Sequence, residues 1–473
     1  MSKPNIIISG SGMSALMVAR TIKKYKDPQA NITIIERDDK IGGQFGSVSY
    51  GEHGYFDYGM HIYYESCIPE IDTLFTSLMP DEDWNILIDN LKDAAGIYVN
   101  GNLQLETPYV DLRNLSAEKR KQYIAELFTH IEKQDGKELR EGANAYEILE
   151  HHFGELITNE VFVPILEKLY KTHPSSLDEI ATQLTTINRV ALFDEKLMLD
   201  LMKSREIRSR ICYPNQYTMP PYRTTSQRGF YPKQYGIFRV LEKFKSLLEA
   251  EGVSFLTSSV ISELKINNDR VESISVTKKE SVKEIKNIEK LYWSAGLPSL
   301  AIALKLDLSG FTYDKQVNTA YYVNFLFDKN PEMDKLYYFY CFDKGFRTFR
   351  VTNYTNYCPA ANEGRGFPLC VELWTNAGDP DKEEELVNLA LKELRTFGVI
   401  NDTYKIQFAK ADKVQGGGFP LPTVKNVGNM NTIRGMITDR GIKNVVPIGV
   451  YASKNVFFIK DVLMDTYKKV IEN

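Results

Sequence analysis

The chain has 473 residues, 43% of them apolar and 25% charged, with a net charge of -4. That length exceeds what one hydrophobic core usually organises, so two or three lobes are expected. The balance is that of an ordinary globular protein. It offers no global basic field for nucleic acid or an anionic membrane, and no apolar run as long as a membrane span.

Asn5-Ile6-Ile7-Ile8 is a short continuous apolar run, the pattern of a strand buried on both faces of a parallel sheet. A strand so early leaves no room for a secretory leader, so the expected location is the cytoplasm. The five cysteines (Cys67, Cys212, Cys341, Cys358, Cys370) are scattered and are expected to be reduced thiols. Ala15, Ala19 and Ile22 then recur at helical spacing, and Ile32-Thr33-Ile34-Ile35 forms a second strand ending at Glu36. Together these segments make one βαβ unit.

Residues 70–210 are predicted to be mostly helical, with long stretches at 115–133 and 146–170 and a solvated His151-His152 pair. Around 226–276 the α/β character returns. Phe238, Leu241, Lys245 and Leu248 outline an amphipathic helix that Gly252 closes, and Val253–Leu256 starts a strand. Further strands are expected near 271–277 and 291–295. Residues 317–375 are rich in Tyr, Phe, Val and Thr and predict a second sheet. Glu383–Phe397 reads as a helix. Val445–Gly449 is a strand ending in glycine, and a terminal helix carries Val462, Leu463, Thr466, Tyr467 and Val470 on one face.

The chemistry starts at Gly10-Ser11-Gly12-Met13-Ser14-Ala15, a GxGxxA turn after a buried strand and at the mouth of a helix. Gly10 permits the tight turn, Gly12 lets the backbone approach a pyrophosphate, and Ala15 allows close helix–strand packing. The helix N-terminus offers N–H groups and its positive dipole end. Glu36 follows Gly12 by 24 positions and places a carboxylate at the end of the second strand, where it can accept from ribose hydroxyls. The next residues favour FAD over NAD. Glu36-Arg37-Asp38-Asp39-Lys40-Ile41-Gly42-Gly43-Gln44 has the form E-[RK]-x4-G-G. Its two glycines let backbone run beneath a further part of the ligand, which nicotinamide proteins do not generally require.

With Phe56-Asp57-Tyr58-Gly59-Met60-His61-Ile62-Tyr63, these motifs resemble the flavin amine oxidase clan, which includes protoporphyrinogen oxidase, phytoene desaturase and UDP-galactopyranose mutase. Gly59–Tyr63 looks closest to the mutases and to protoporphyrinogen-oxidase-like proteins of surface-polysaccharide gene clusters. Gly229-Phe230-Tyr231-Pro232-Lys233-Gln234-Tyr235-Gly236 stands where the clan has a YPxGG-type turn, with the glycine pair only partly kept. Val260 falls in a strand similar to the clan's adenine-contacting segment, and Trp293–Gly296 resembles the segment leading to the far side of the flavin. Gly449-Val450-Tyr451, followed by Asp461, resembles the closing motif, although Val450 replaces its usual Arg or Asp. The resemblance implies an α/β fold with a discontinuous Rossmann-like FAD-binding domain (1–75, 215–305 and 405–473). Interleaved with it are a helical insertion (76–214) and a sheet-containing, antiparallel substrate domain (306–404). Gly10, Gly12, Met13, Ser14, Ala15, Glu36, Arg37, Gly42, Gly43, Gln44, Gly59, Met60, His61, Val260, Gly449 and Asp461 are the implied FAD contacts.

The chain has no HExxH, metal-spaced Cys/His cluster, P-loop or GxSxG elbow. The resemblance places His61 beside the isoalloxazine, and His61 and Arg350 are the catalytic candidates. Arg223, Tyr231, Arg350 and Tyr451 are the expected substrate contacts, because guanidinium forks bind diphosphates and tyrosine rings stack on sugars or bases. Arg228 and Arg347 read instead as surface ion pairs. The favoured function is an FAD-dependent oxidoreductase, or redox-neutral mutase, acting on a nucleotide-linked sugar. The alternatives are an oxidase or desaturase of an apolar tetrapyrrole or isoprenoid, and a non-catalytic flavin-binding protein.

Overall fold

The computed structural model describes residues 3–134, 139–183, 187–315, 318–414, 421–456 and 458–473. Position 317, the first of the aromatic-rich stretch, lies outside them. The N-terminal βαβ unit forms as expected: β1 (Asn5–Ser9), α1 (Met13–Thr21) and β2 (Asn31–Ile35). Ile7 and Ile8 are fully buried, which fits a central strand covered on both faces. The parallel sheet runs in the order Ser254–Leu256, β2, β1, Ile288–Trp293, Val445–Pro447. Its edge strands thus come from distant parts of the chain. The crossover between Ser254–Leu256 and Ile288–Trp293 is a three-stranded antiparallel meander, Val260–Asn267, Arg270–Lys278 and Ser281–Lys286.

A second, seven-stranded sheet is built around the aromatic-rich stretch. Its order is Ile406–Lys413, Thr319–Phe327, Phe367–Thr375, Thr348–Asn353, Tyr338–Cys341, Ala95–Val99, Asn102–Gln104. The pairing is antiparallel except between Tyr338–Cys341 and Ala95–Val99, which run parallel. The sheet is therefore mixed, and it draws two strands from within 76–214 and one from beyond 404. Helix Glu383–Thr396 packs Leu386, Ala390 and Leu394 onto one face of it.

The helical lobe contains Ala117–Gln134, but the stretch 146–170 is not continuous. Asn144 and Glu147 make a reciprocal capping box that starts Ala145–Phe153. Gly154, at φ 86, ends that helix and redirects the chain before Val163–Tyr170. His152 is not a solvated surface group. Its Nε2 donates to the Ser209 carbonyl at 3.0 Å, and burial lowers its pKa to about 4. Lys168 joins this lobe to the second sheet, donating to the Cys341 and Thr348 carbonyls from a buried position. All five cysteines are unpaired. Among the described residues, no helix is long and apolar enough to cross a membrane and no cluster has the makings of a metal site.

Candidate dinucleotide and substrate site

The two glycines of the first turn serve different ends. Gly10 has φ 90, and a Cβ there would lie 2.3 Å from Ser294 Oγ, so the fold itself requires glycine. Gly12 has an ordinary φ of -65, and a Cβ on it would meet nothing within 4 Å. The protein's own packing does not need glycine at position 12; its smallness keeps a space open. Gly12 is also the N-cap of α1, and no side chain caps that helix. The positive end of the helix therefore faces the same open space.

Glu36 stands just beyond β2. One carboxylate oxygen accepts from the Ser11 N–H at 2.9 Å and the Ser11 hydroxyl at 2.5 Å, the other from the Asp38 N–H at 2.9 Å. One lone pair remains, on the oxygen that accepts from Asp38, for a further donor. The Ser259 N–H donates to the Glu36 carbonyl at 2.8 Å, which brings the backbone at Val260 alongside. Gly42 folds back onto the first turn: its N–H donates to the Ser11 carbonyl at 3.1 Å, and Gly12 and Gly42 form a parallel bridge. A Cβ on Gly43 would lie 3.8 Å from Gly12 Cα. Gly449 approaches from the far end of the chain, where a Cβ would lie 3.6 Å from Ser14 Oγ. Gly10–Ala15, Glu36, Gly42-Gly43 and Gly449 thus converge. Arg37 and Gln44 face solvent, Arg37 paired with Asp38. Asp461 lines a groove of about 450 Å³ with Ile68, Ile71, Met464 and Lys468.

Phe45 follows the glycine pair and lies against His61, ring centroids 5.0 Å apart. His61 Nε2 is buried and has no hydrogen-bond partner among the described residues. Burial, with the Arg350 guanidinium nearby, holds the imidazole pKa down at about 4, so the ring is neutral at neutral pH. Gly59, at φ 80, makes room for Arg350: a Cβ there would lie 2.7 Å from both Arg350 Nη2 and Glu372 Oε1. Arg350 Nε donates to Glu372 Oε1 at 2.5 Å. Burial opposes the guanidinium charge, and the carboxylate beside it more than offsets that effect. The Tyr338 and Tyr340 rings flank the guanidinium at 5.9 Å each.

The other expected substrate contacts lie elsewhere. Tyr231 is fully buried, and its hydroxyl donates to Asp57 at 2.6 Å, so it belongs to the core rather than to a substrate surface. Tyr451 is 6% exposed and belongs to the apolar cluster that also includes Ile180 of the helical lobe. Arg223 lines a separate cavity described below. Arg228 and Arg347 are ion-paired with Glu65 and Asp379, as expected for surface arginines. Two residues carry the site without standing out in the motifs, Ser11 and Glu372, and Asp57 organises the core beside it. Asp57 is 1% exposed and accepts from Ser47 Oγ, Tyr231 and the Ile237 N–H. Glu372 had a legible signal, as the single charge in the apolar strand Phe367–Thr375.

Residues 8–78 match the family of NAD(P)-binding Rossmann-like domains. The N-terminal unit is a Rossmann-like domain. No curated protein matches the chain by sequence. Among solved structures, the fold is similar to reduced UDP-galactopyranose mutase, with TM-score 0.72, 15% identity, and coverage of 99% of this chain and 95% of that one. A protein from Exiguobacterium sp. 255-15, provisionally described as a protoporphyrinogen oxidase, has TM-score 0.68 and 15% identity, covering 100% of this chain and 98% of that one. Cyclohexylamine oxidase from Brevibacterium oxydans IH-35A has TM-score 0.59 and 13% identity, with coverage of 100% and 98%. The fold over the full length is the one these proteins share.

Proposed function

We propose that this chain is an FAD-dependent oxidoreductase acting on a nucleotide-linked sugar, by net oxidation or by redox-neutral, mutase-type chemistry. The observation that carries the reading is the open space above Gly12, faced by the uncapped helix and by the Gly42-Gly43 backbone. FAD fits what is there. The α1 N-terminus suits a pyrophosphate, Glu36 keeps a lone pair for a ribose hydroxyl, and Gly43 and Gly449 leave backbone free of side chains, whereas Gly42 is glycine because a Cβ there would lie 2.2 Å from Leu241 Cδ1. The buried, unpartnered His61 Nε2 lies one aromatic ring further along, where a second half of the ligand would reach. When bound, the flavin supplies the redox chemistry.

The protein's part is to bind, orient and exclude water. Neutral His61 can donate or accept at Nε2 but brings no charge of its own. The Arg350–Glu372 pair and the flanking tyrosines offer donors and acceptors together, which matches sugar hydroxyls. The likeness to UDP-galactopyranose mutase supports the sugar-nucleotide class. One observation favours a second reading, an oxidase of an uncharged substrate: Glu372 already offsets the Arg350 charge.

The test is equilibrium binding of UDP and a UDP-sugar to flavin-loaded wild type and Arg350→Lys. Saturable UDP-sugar binding that weakens roughly tenfold or more in the variant is expected, the loss of a charge-assisted contact. No binding to the wild type would transfer the reading to the uncharged substrate.

A further inference from the structure

The helical lobe and the loop after it form an open surface cavity of about 590 Å³. Arg189, Arg205, Arg208 and Arg223 line it, together with Asn188 and Tyr222. None of the four guanidiniums makes an ion pair with a described residue, whereas the neighbouring Arg210 pairs with Glu206. Arg20, Arg113, Arg228, Arg347 and Arg350 are likewise each matched to a carboxylate. Arg120, Arg239, Arg270, Arg365, Arg434 and Arg440 also lack an ion pair with a described residue, so what sets these four apart is that they line one cavity together.

Two of the four are held in place. The Arg189 guanidinium lies 4.4 Å over the Tyr109 ring and donates to its hydroxyl. Arg223 Nε is buried and has no hydrogen-bond partner, with the guanidinium 5.4 Å from the Tyr222 ring. Like charges gathered without a counter-charge repel one another, and an anion with several oxygens relieves that repulsion. Tyr222 is 73% exposed at the rim and presents a flat face to whatever enters.

We propose that this cavity binds a phosphate-bearing small molecule with a planar ring, the guanidiniums holding the phosphate oxygens and Tyr222 stacking on the ring. The cavity shares no lining residue with the glycine turn or with Arg350, and its ligand does not depend on the function proposed above. Arg205 and Arg208 are solvent-exposed, so changing them leaves the core intact.

Calorimetric titration of the flavin-loaded protein with inorganic diphosphate and with ADP tests it. Both are expected to bind saturably and to weaken with rising salt. Arg205→Gln with Arg208→Gln should weaken both by about tenfold or more, from the loss of charge-assisted bonds. Arg395→Gln, at an exposed ion pair outside both sites, should leave both unchanged, and Tyr222→Ala should weaken ADP alone. Three results would overturn the assignment: no saturable binding of diphosphate, affinities unchanged by the Arg205 and Arg208 substitutions, or retention only on vesicles containing phosphatidic acid. Equal affinities for ADP and diphosphate would overturn the part given to Tyr222.

Discussion

Gly10 and Gly12 look alike in the sequence, and the structure separates them. Alanine at Gly10 meets Ser294 and a positive φ together, so it should destabilise the fold by about 1–3 kcal/mol. Alanine at Gly12 meets no protein atom, so stability should stay within about 1 kcal/mol while cofactor occupancy collapses. Chemical denaturation and the cofactor content of the two purified variants distinguish these outcomes; equal cofactor content in Gly12→Ala and wild type would remove the ligand from that space. Glu36→Gln should weaken FAD binding to the apoprotein by roughly 1.5–3 kcal/mol, because a neutral amide is the poorer acceptor for ribose hydroxyls and for Ser11. His61 gives a pH signature. Burial lowers its folded pKa to about 4, whereas the unfolded chain takes up the proton near the ordinary 6.5. Between those values the unfolded state binds more protons, so this contribution to stability falls as pH drops from 6.5 towards 4. Asp57, raised by burial to about 6, acts in the opposite sense, losing stability as pH rises from 3.8 through 6. The difference between wild type and His61→Gln cancels Asp57 and should shift in favour of the variant as pH falls through that window. A difference constant from pH 7 to pH 4 would mean that His61 titrates normally.

At the scale of elements, the βαβ unit, the amphipathic helix Phe238–Ala250 and the terminal helix Ile459–Glu472 were all legible, because periodicity and glycine punctuation agree in each. The break in 146–170 was harder to read, since Gly154 is one residue in a long helical pattern and declares itself only through its positive φ. The second sheet's outer strands were illegible for another reason. Ala95–Val99 is apolar at every position and pairs with a strand more than two hundred residues away, and periodicity carries no record of such a partner. The site shows the same division. Its glycines and Glu36 follow a spacing and Glu372 stands out as a lone charge in its strand, whereas the pairing of Glu372 with Arg350 is set by the sheet register. Lys168 is the element-level tie between the helical lobe and the strand bearing Arg350. Lys168→Met keeps the volume but removes a donor from two buried carbonyls, and should lower stability by roughly 1–3 kcal/mol in urea unfolding. An unchanged midpoint would show that the two lobes do not depend on this contact.

On the scale of the whole molecule, the candidate site is assembled from the first turn, the Glu36–Gly43 segment and Gly449, with the packed group Gly59, His61, Arg350 and Glu372 beyond it. A ligand that touches all of these ties the ends of the chain together. FAD at a hundred times its Kd should therefore add about 2.7 kcal/mol to stability and raise Tm, reversibly on removal and reconstitution. The most direct test of the central claim is the visible spectrum of the purified protein, together with the mass of the cofactor it releases on denaturation. A yellow protein that releases intact FAD is the predicted result. A colourless protein that binds only a nicotinamide dinucleotide in the space above Gly12 would contradict it.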